Sequence, residues 1–447
     1  MSGAFPLFTI KDSKMAHSVD IVMFGNVSNK GEKHMFFKQG EELPLKGLKV
    51  IDFATVIAAP SCARIFADLG ADVIKVEAGV EGDWILRIQT AGTPTLPEEH
   101  PIFALCNANK KHISLNLKTG QGYDVMMRLL KTADVLITNI RYASLERLKM
   151  DYATIKEKFP SLIYAHFSGY GYNGPDHAIA AYDVSAFWGR TSALLEWLPE
   201  DTKCLPNPSY GFGDLSAAGM LFGAIMVALY KRMVNGKGTM VTGSLLHMGI
   251  WASSNHIIPA QPHYGKHFPD EPDQVDVLSR SYRCKDGKWI TLLGLARLHP
   301  WWVRFCKAVG LAYLLEDPKY KDYASIVENN AMPELHRIFE RKMLEKTRDE
   351  WKSVFDAADL ACGKVCSAEE VIDDKDAWAN GYLAKTTYMN GAEVVMTTIP
   401  MQFSEYGIKA PTGSKPIGYD TDEVLREYGY SEEDIQALRE AGAVYGI

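Results

Sequence analysis

Asp214 is the residue whose type and surroundings best suit covalent chemistry. It lies in GFGDLSAAG, residues 211–219, between glycines and directly before an apolar stretch. At the start of a helix the dipole and amide groups stabilise a carboxylate and keep it ionised, and glycine neighbours let a substrate approach closely. An ionised, accessible carboxylate can act as a nucleophile. The same position also suits a simple N-cap, because aspartate caps helices well.

A glycine-rich loop is the second segment of interest. GYGYNG, residues 169–174, fits the G-x-G-x-x-G pattern after a predicted strand. In a dinucleotide site the last glycine lies inside a helix whose N-terminus holds the pyrophosphate, whereas here Pro175 follows and continues a turn. The pattern therefore favours a tight turn, or a mobile loop that covers a substrate. We place Gly169 and Gly171 at the reaction site, where backbone amides of this loop are candidates for stabilising an oxyanion.

Basic side chains lie near the predicted ends of two strands. Lys110 and Lys111 stand in NANKKHISLN, and Arg141 and Arg147 stand in TNIRYASLERLKM. Ligands of open α/β sheets bind beyond the carboxyl ends of the strands, so these cations could contact phosphate groups. Solvated surface charge is the simpler explanation for any one of them. Both interpretations stay open at this point.

Composition and charge narrow the function classes. The chain has 447 residues, of which 47% are hydrophobic and 23% charged, and a net charge of −7 without a basic stripe. This composition is typical of a globular protein. A nucleic-acid binder would be expected to carry a positively charged surface patch, which this charge distribution does not predict. The longest apolar run, residues 219–230, is shorter than the ~20 residues that span a bilayer and predicts a buried helix. We expect no nucleic-acid or membrane partner, and the lack of a signal-like N-terminal stretch predicts a cytoplasmic location.

The cysteines predict neither a disulfide nor a metal site. Their number, seven, is odd, and most are far apart in the sequence. Cys362 and Cys366 form a C-x-x-x-C pair without a second pair or a histidine cluster beside it. Such a pair is more typical of buried thiols than of zinc ligands.

Alternating strand-like and helix-like stretches predict the fold class. From Leu48 onward, short apolar runs such as KVIDFAT and ADVIKVE alternate with amphipathic segments. This pattern predicts an α/β protein whose parallel sheet is covered on both faces. A long helix is predicted from Leu215 to about Met233, with Asn235 and Gly236 as stop residues.

A second, smaller α+β domain is predicted after the large one. YRCKDGKWITLLGL, which starts at Tyr282, has an Asp-Gly turn between two strand-like runs, and this is a common hairpin signal. Amphipathic helices follow it. The predicted organisation is an N-terminal extension 1–45, a large domain 46–245 completed by 390–447, a linker 246–275, a small domain 276–375, and a linker 376–447 that returns to the large domain.

The order of several motifs resembles a known family. The motifs are LKGLKVIDFATVIAAPSCARIFADLGADVIKVE (45–77), the NKK at 109, ADVLITNIRYASLERL, GYGYNGP, GFGDLSAAG and TDEVLREYGYSEEDI. In this order they resemble the class III CoA-transferases, the family of formyl-CoA and carnitine CoA-transferases. GYGYNGP, YDVSAFWGR and AWANGYL are most similar to the branch that acts on 2-hydroxy acids, such as the phenyllactate and 2-hydroxyisocaproate CoA-transferases.

The resemblance implies a fold, a substrate and a set of site residues. The fold would be a Rossmann-like large domain with a smaller α+β domain, in a homodimer whose subunits interlock. Coenzyme A would enter as an acyl-CoA substrate, with no metal. The catalytic aspartate falls on Asp214, the CoA-contacting turn falls on Thr55, Val56, Ile57 and Ala58, and the phosphate-side residues fall on Asn139 and Arg147, beside the cations Lys110 and Arg141.

The sequence departs from the family pattern at three places, which concern the binding of the adenine end of CoA and of the acceptor acid. Ala78 stands where some members have a basic residue, so the adenine end must be held differently. Tyr172 replaces the acidic loop residue of hydroxy-acid members, and Thr191 and Ser192 replace their paired glycines.

The implied mechanism uses Asp214 covalently. The carboxylate attacks the donor thioester to give an anhydride, CoA thiolate converts it into an enzyme-CoA thioester, and an acceptor carboxylate takes over the CoA. A 2-methylacyl-CoA racemase is the nearest alternative, but it would need a histidine base where this chain has Tyr182. A tyrosine phenol is a poor base near pH 7. A non-catalytic acyl-CoA binding protein, the other alternative, would not depend on Asp214.

Overall fold

The computed structural model describes residues 43–87, 98–197, 207–208, 211–265, 275–294 and 299–446, so nearly all of the predicted extension 1–45 lies outside the described residues. Its strands are β1 (Lys49–Phe53), β2 (Asp72–Ala78), β3 (Lys111–Leu115), β4 (Val135–Thr138), β5 (Ile163–Ser168), β6 (Met240–Ser244), β7 (Ser281–Arg283), β8 (Trp289–Leu292), β9 (Cys362–Val365), β10 (Leu383–Thr387), β11 (Glu393–Thr397) and β12 (Val444–Tyr445).

The helices connect these strands and cover them. They are α1 (Ala58–Asp68), α2 (Pro101–Asn107), α3 (Gly120–Leu130), α4 (Tyr142–Arg147), α5 (Tyr152–Lys158), α6 (Ala193–Trp197), α7 (Phe212–Asn235), α8 (Leu245–Ala252), α9 (Ser254–Ile257), α10 (His299–Ala308), α11 (Tyr323–Glu328), α12 (Met332–Met343), α13 (Arg348–Ala357), α14 (Ala368–Ile372), α15 (Lys375–Ala379), α16 (Thr421–Glu427) and α17 (Glu432–Glu440). Short 3-10 turns span Gly79–Glu81, Trp84–Arg87 and Ala312–Leu315, and a π-helical turn spans Val184–Gly189.

Seven strands form one large sheet, in the order β12-β3-β2-β1-β4-β5-β6. All neighbours from β3 to β6 run parallel, and β12 is antiparallel to β3. Such strands are buried on both faces, and for this reason they read as nearly continuous apolar runs in the sequence. The predicted α/β class is confirmed.

Helices pack on both faces of this sheet. On one face α1 and α7 share a hydrophobic cluster, in which the rings of Phe66 and Phe222 meet edge to face at 4.7 Å. On the other face α3, α5, α16 and α17 contribute to a second cluster. The C-terminal residues thus return to the sheet, where Val444 pairs with Leu115.

Helix α7 is longer than predicted. It begins at Phe212 and not at Leu215, and it ends as predicted at Asn235, with Gly236 in the left-handed region at φ 70°. By length and composition alone α7 could cross a membrane, and 44% of its apolar window is buried in this structure. Its inner face packs on α1, β5 and β6. The predicted buried helix is therefore buried on one side only.

A separate group of elements has its own hydrophobic cluster. β7 and β8 form an antiparallel hairpin, and Gly287 in their connection has φ 78°, which confirms the predicted Asp-Gly turn. β9 pairs with β8. Helices α10 to α13 pack against these strands around Trp302, Phe339 and Phe355. The boundaries of the small domain stay predictions.

Candidate active site

The turn after β1 is strained and held from two sides. Val56 has φ 70°, a left-handed conformation that a β-branched residue rarely adopts. The side chain of Asn139, just after β4, accepts a hydrogen bond from the Thr55 amide at 2.9 Å and donates one to the Thr55 carbonyl at 2.8 Å. Asp83 accepts a hydrogen bond from the Val56 amide at 2.9 Å. Such strain persists where surrounding contacts enforce it, often at functional sites.

Two buried lysines support this turn from behind. Lys75 donates to the Ala54 carbonyl at 2.8 Å and pairs with Asp83 at 3.0 Å. Burial alone would lower the pKa of Lys75, but the surrounding carboxylates outweigh it and raise that pKa. Lys110 donates to Asp52 at 2.7 Å and has two further oxygen partners at 2.8 Å. All three donors of Lys110 are used inside the protein, where they support the end of β1. A contact of Lys110 with CoA stays a prediction.

The start of α7 lies against this turn. A Cβ atom on Gly211 would stand 3.1 Å from Cδ1 of Ile57, so the absence of a side chain permits the contact. Gly211 occupies the N-cap position with φ 93°, and Asp214 is the third residue of the helix. The N-cap interpretation of Asp214 is therefore wrong. Asp214 lies in the first turn of α7, the end of the helix that contacts Ile57 of the strained turn.

A second carboxylate caps α7. Asp183 is 2% exposed, and its Oδ2 accepts the hydrogen bond of the Gly211 amide at 2.8 Å. The amides of Phe212 and Gly213 also face this carboxylate. A Cβ atom on Gly213 would overlap Oδ1 of Asp183, which explains the glycine directly before Asp214.

The electrostatics of Asp214 follow from this arrangement. Burial, and then the negative charge of Asp183, raise the pKa of Asp214 to about 7. The expectation that the helix start keeps this carboxylate ionised is corrected, because burial and the nearby charge of Asp183 both disfavour the ionised form. Near neutral pH, Asp214 titrates.

The glycine loop is tied to its neighbours. A Cβ atom on Gly169 would overlap the side chain of Ala181. Gly171 has φ 93°, and its amide donates to Oγ of Ser168 at 3.1 Å. Since this amide already has a partner, it could stabilise an oxyanion only after the loop rearranges. Tyr172 packs on the ring of His166, with centroids 5.1 Å apart.

Two comparisons decide the family. The profile of CoA-transferase family III matches residues 45–421. The (R)-2-hydroxy-4-methylpentanoate CoA-transferase of Clostridioides difficile is 38% identical over 403 residues, which are 90% of this chain and 99% of the relative. The chain belongs to CoA-transferase family III. The family resemblance predicted from the ordered motifs is thereby confirmed.

Two further similar proteins agree with this result. The cinnamoyl-CoA:phenyllactate CoA-transferase of Clostridium sporogenes is 35% identical over 394 residues, covering 88% of this chain and 95% of the relative. The crystal structure of a CAIB/BAIF family protein from Brucella suis matches with a TM-score of 0.75 at 24% identity, over 87% of this chain and 100% of that one. That structure shows a shared fold.

The two arginines predicted to lie near the CoA phosphates are at the surface of this CoA-transferase. Arg141 is exposed at the N-cap position of α4. Arg147 is exposed as well, and its Nη2 donates to Oγ of Ser144 at 2.9 Å. Both follow β4, the strand next to β1, so they stand at the same sheet edge as Thr55 and Asn139.

Metal ligands and disulfides were expected to be absent. The described part of the chain contains no group of three His, Cys, Asp or Glu side chains that could hold a metal ion. The cysteines described there are free thiols. Cys204 lies outside the described residues.

No pattern in the sequence predicted a role for Asp183 or Trp84. The ring of Trp84 lies 6.1 Å from that of Tyr182, and both are about half exposed. Phe187 and Trp188, which follow in the sequence, are buried in the core. The glycine at 213 signals a close approach, but nothing local identifies Asp183 as the group that approaches.

Proposed function

We propose that this CoA-transferase moves CoA from an acyl-CoA donor to a 2-hydroxy acid, with Asp214 as the nucleophile. The supporting observation is a carboxylate 9% exposed at the start of α7, beside the strained turn at the carboxyl end of β1. The names of two relatives, both acting on 2-hydroxy acids, support the acceptor class.

The reaction proceeds by four acyl exchanges on Asp214. Its carboxylate attacks the donor thioester, which gives an acyl-aspartyl anhydride and CoA thiolate. The thiolate attacks the aspartyl carbonyl, which forms an aspartyl-CoA thioester and releases the donor acid. The acceptor carboxylate attacks this thioester, giving a second anhydride and CoA thiolate. The thiolate then attacks the acceptor carbonyl, and Asp214 is regenerated as a carboxylate. Every step conserves charge and needs no redox partner.

The CoA moiety is proposed to lie across the crevice between β1 and β4. The strand order reverses there, and ligands of open α/β sheets bind at such points. The turn Thr55–Ala58 leads into α1, whose N-terminus suits a phosphate group. Arg141 and Arg147 add positive charge at the same edge. The order of the parallel strands also supports the Rossmann-like description of the large domain.

A homodimer and a cytoplasmic location complete the proposal. The outer face of α7 carries large apolar side chains that are exposed in a single chain, namely Met220, Val227, Tyr230, Met233 and Val234. A contiguous apolar face of this kind favours a protein partner. The family resemblance makes that partner a second, interlocked copy of this chain.

The racemase and the non-catalytic alternatives lack such support. Tyr182, at the position where a racemase needs histidine, is half-exposed and packs against Trp84. A pure binding protein has no need of a buried carboxylate whose pKa is raised to about 7.

Trapping the covalent intermediate tests the mechanism. With acyl-CoA and hydroxylamine present, Asp214 is expected to become a hydroxamate and the enzyme to lose activity. Borohydride should reduce the aspartyl-CoA thioester at the same residue. Peptide mass spectrometry locates the modification, and a sample without acyl-CoA is the control. Modification at another residue, or none during turnover, contradicts the proposal.

We assign Trp84, whose ring lies 6.1 Å from that of Tyr182 beside Asp183, to the acceptor side of the site. Trp84→Ala is therefore expected to reduce the preference for acceptors with large apolar side chains. An aromatic surface favours such side chains by about 25 cal/mol per Å² buried. We expect kcat/KM for phenyl- or isobutyl-substituted 2-hydroxy acids to fall about tenfold relative to glycolate. Trp289→Ala removes an equally exposed tryptophan from β8 and serves as the control. An equal loss with all acids, or oxalate as the best acceptor of the wild type, counts against this assignment.

A further inference from the structure

Asp183 and Asp214 compete for the same helix terminus. The first amide of that terminus, Gly211 N–H, donates to Asp183 at 2.8 Å. Asp214 lies three residues further on, as the third residue of α7. Its pKa shift comes from burial and from the charge of Asp183, with no hydrogen bond among its causes. The terminal donors that would otherwise hold the Asp214 carboxylate therefore bind Asp183, which comes from a different segment of the chain.

We infer that Asp183 is a positioning residue, which keeps the carboxylate of Asp214 free of the helix cap and thereby reactive. This inference rests on the proposed role of Asp214. A carboxylate bound by several amides is a weak nucleophile, because those hydrogen bonds stabilise its charge. Because the Asp214 carboxylate is buried and lies outside the helix cap, it stays nucleophilic toward a thioester or anhydride carbonyl.

Gly213 is the sequence feature that accommodates this arrangement. Any larger residue at 213 would place its Cβ against Oδ1 of Asp183 and against the ring of Phe187. The glycine therefore lets the carboxylate of Asp183, the residue directly before the π-helical turn, reach the backbone of α7. Gly213 stands directly before Asp214. The backbone of residues 211–213 therefore fixes the Asp183 carboxylate relative to Asp214.

Charged groups in the surrounding segments are paired with one another, and Asp183 is the charged group that affects the pKa of Asp214. Arg190 pairs with Asp176 at 2.7 Å on the exposed side of the loop. Lys75 pairs with Asp83 behind the turn that follows β1. Among the described residues, the charge that raises the pKa of Asp214 beyond the effect of burial is that of Asp183.

The test compares the pH profiles of Asp183 variants. Asp183→Asn and Asp183→Ser each keep an oxygen that can accept the Gly211 hydrogen bond but remove the charge. We expect the acid limb of kcat/KM to move to lower pH by about one unit, because a like charge is lost while burial remains. At pH 8, where Asp214 is ionised in both proteins, kcat should fall, because the carboxylate has become less basic.

Asp134→Asn is the matched control. Asp134 binds Arg232 at 2.8 Å near the opposite end of α7, so its loss loosens the same helix without changing the charge near Asp214. This variant should keep the wild-type pH profile. If the Asp183 variants fold, lose activity and keep the wild-type acid limb, Asp183 is only a structural cap and the inference fails. If one variant does not fold, the other decides by the same criterion. Trapping at Asp214 in these variants separates a failure of this inference from a failure of the proposed nucleophile.

Discussion

Asp214→Ser is expected to lower CoA transfer by several orders of magnitude. Serine has no carboxylate, so neither the acyl-aspartyl anhydride nor the aspartyl-CoA thioester can form. Loss of a covalent nucleophile generally lowers the rate by a factor of this size. The loss is measured as the rate of CoA transfer from one acyl-CoA donor to a 2-hydroxy acid, compared between variant and wild type. Serine is preferable to asparagine, because asparagine can deamidate and restore the aspartate during storage.

The same variant should be more stable than the wild type at high pH. The pKa of Asp214 is raised to about 7 in the folded protein, above its value of about 4 in an unfolded chain. A group with a raised folded pKa contributes most to stability below pH 4, and this contribution is lost as the pH rises through 7. Burying the ionised carboxylate then costs up to about 4 kcal/mol.

Melting temperatures across the pH range measure this difference. The advantage of Asp214→Ser should grow between pH 4 and 7 and stay constant above pH 7. A variant with normal melting and near wild-type transfer would remove Asp214 from the mechanism. A stability difference that does not depend on pH would show that the carboxylate is solvated in the folded protein.

Lys110→Met is expected to destabilise the fold by about 3–5 kcal/mol, because it leaves the buried carboxylate of Asp52 without its partner. The ammonium group of Lys110 lies 2.7 Å from Asp52, and both side chains are fully buried. The next residue provides a matched control. Lys111 is 28% exposed and pairs with Glu427 at the surface, so Lys111→Met should cost about 1 kcal/mol or less. Unfolding midpoints in denaturant compare the two variants.

A double variant checks the origin of the effect. Asp52→Asn in the Lys110→Met background should recover part of the stability, because the unpaired charge is gone. Equal midpoints for the two lysine variants would show that the pair with Asp52 contributes little. If Lys110→Met instead folded normally and bound CoA weakly, Lys110 would contact the ligand, as its sequence position had suggested.

Local patterns in the sequence determined the fold class and several element ends. The apolar runs of β1 to β5 are typical of a parallel sheet, the Asp-Gly turn produces the hairpin of β7 and β8, and Gly236 ends α7. These features depend on side-chain periodicity and on backbone preferences within a few residues. The candidate nucleophile could also be predicted, because the glycines around Asp214 and the apolar helix after it are adjacent in the chain.

Only the tertiary structure decided the burial and the hydrogen-bond partners of each side chain at the site. Lys110 and Lys111 are neighbours in the sequence, yet one is enclosed beneath β1 and the other is at the surface. Asp183 caps α7 from a distant segment, and Asn139 holds the Thr55 turn from the end of another strand. The physical reason is that burial and hydrogen-bond partners are set by residues brought together from separate parts of the chain. They determine charge, pKa and reactivity, and no local pattern encodes them.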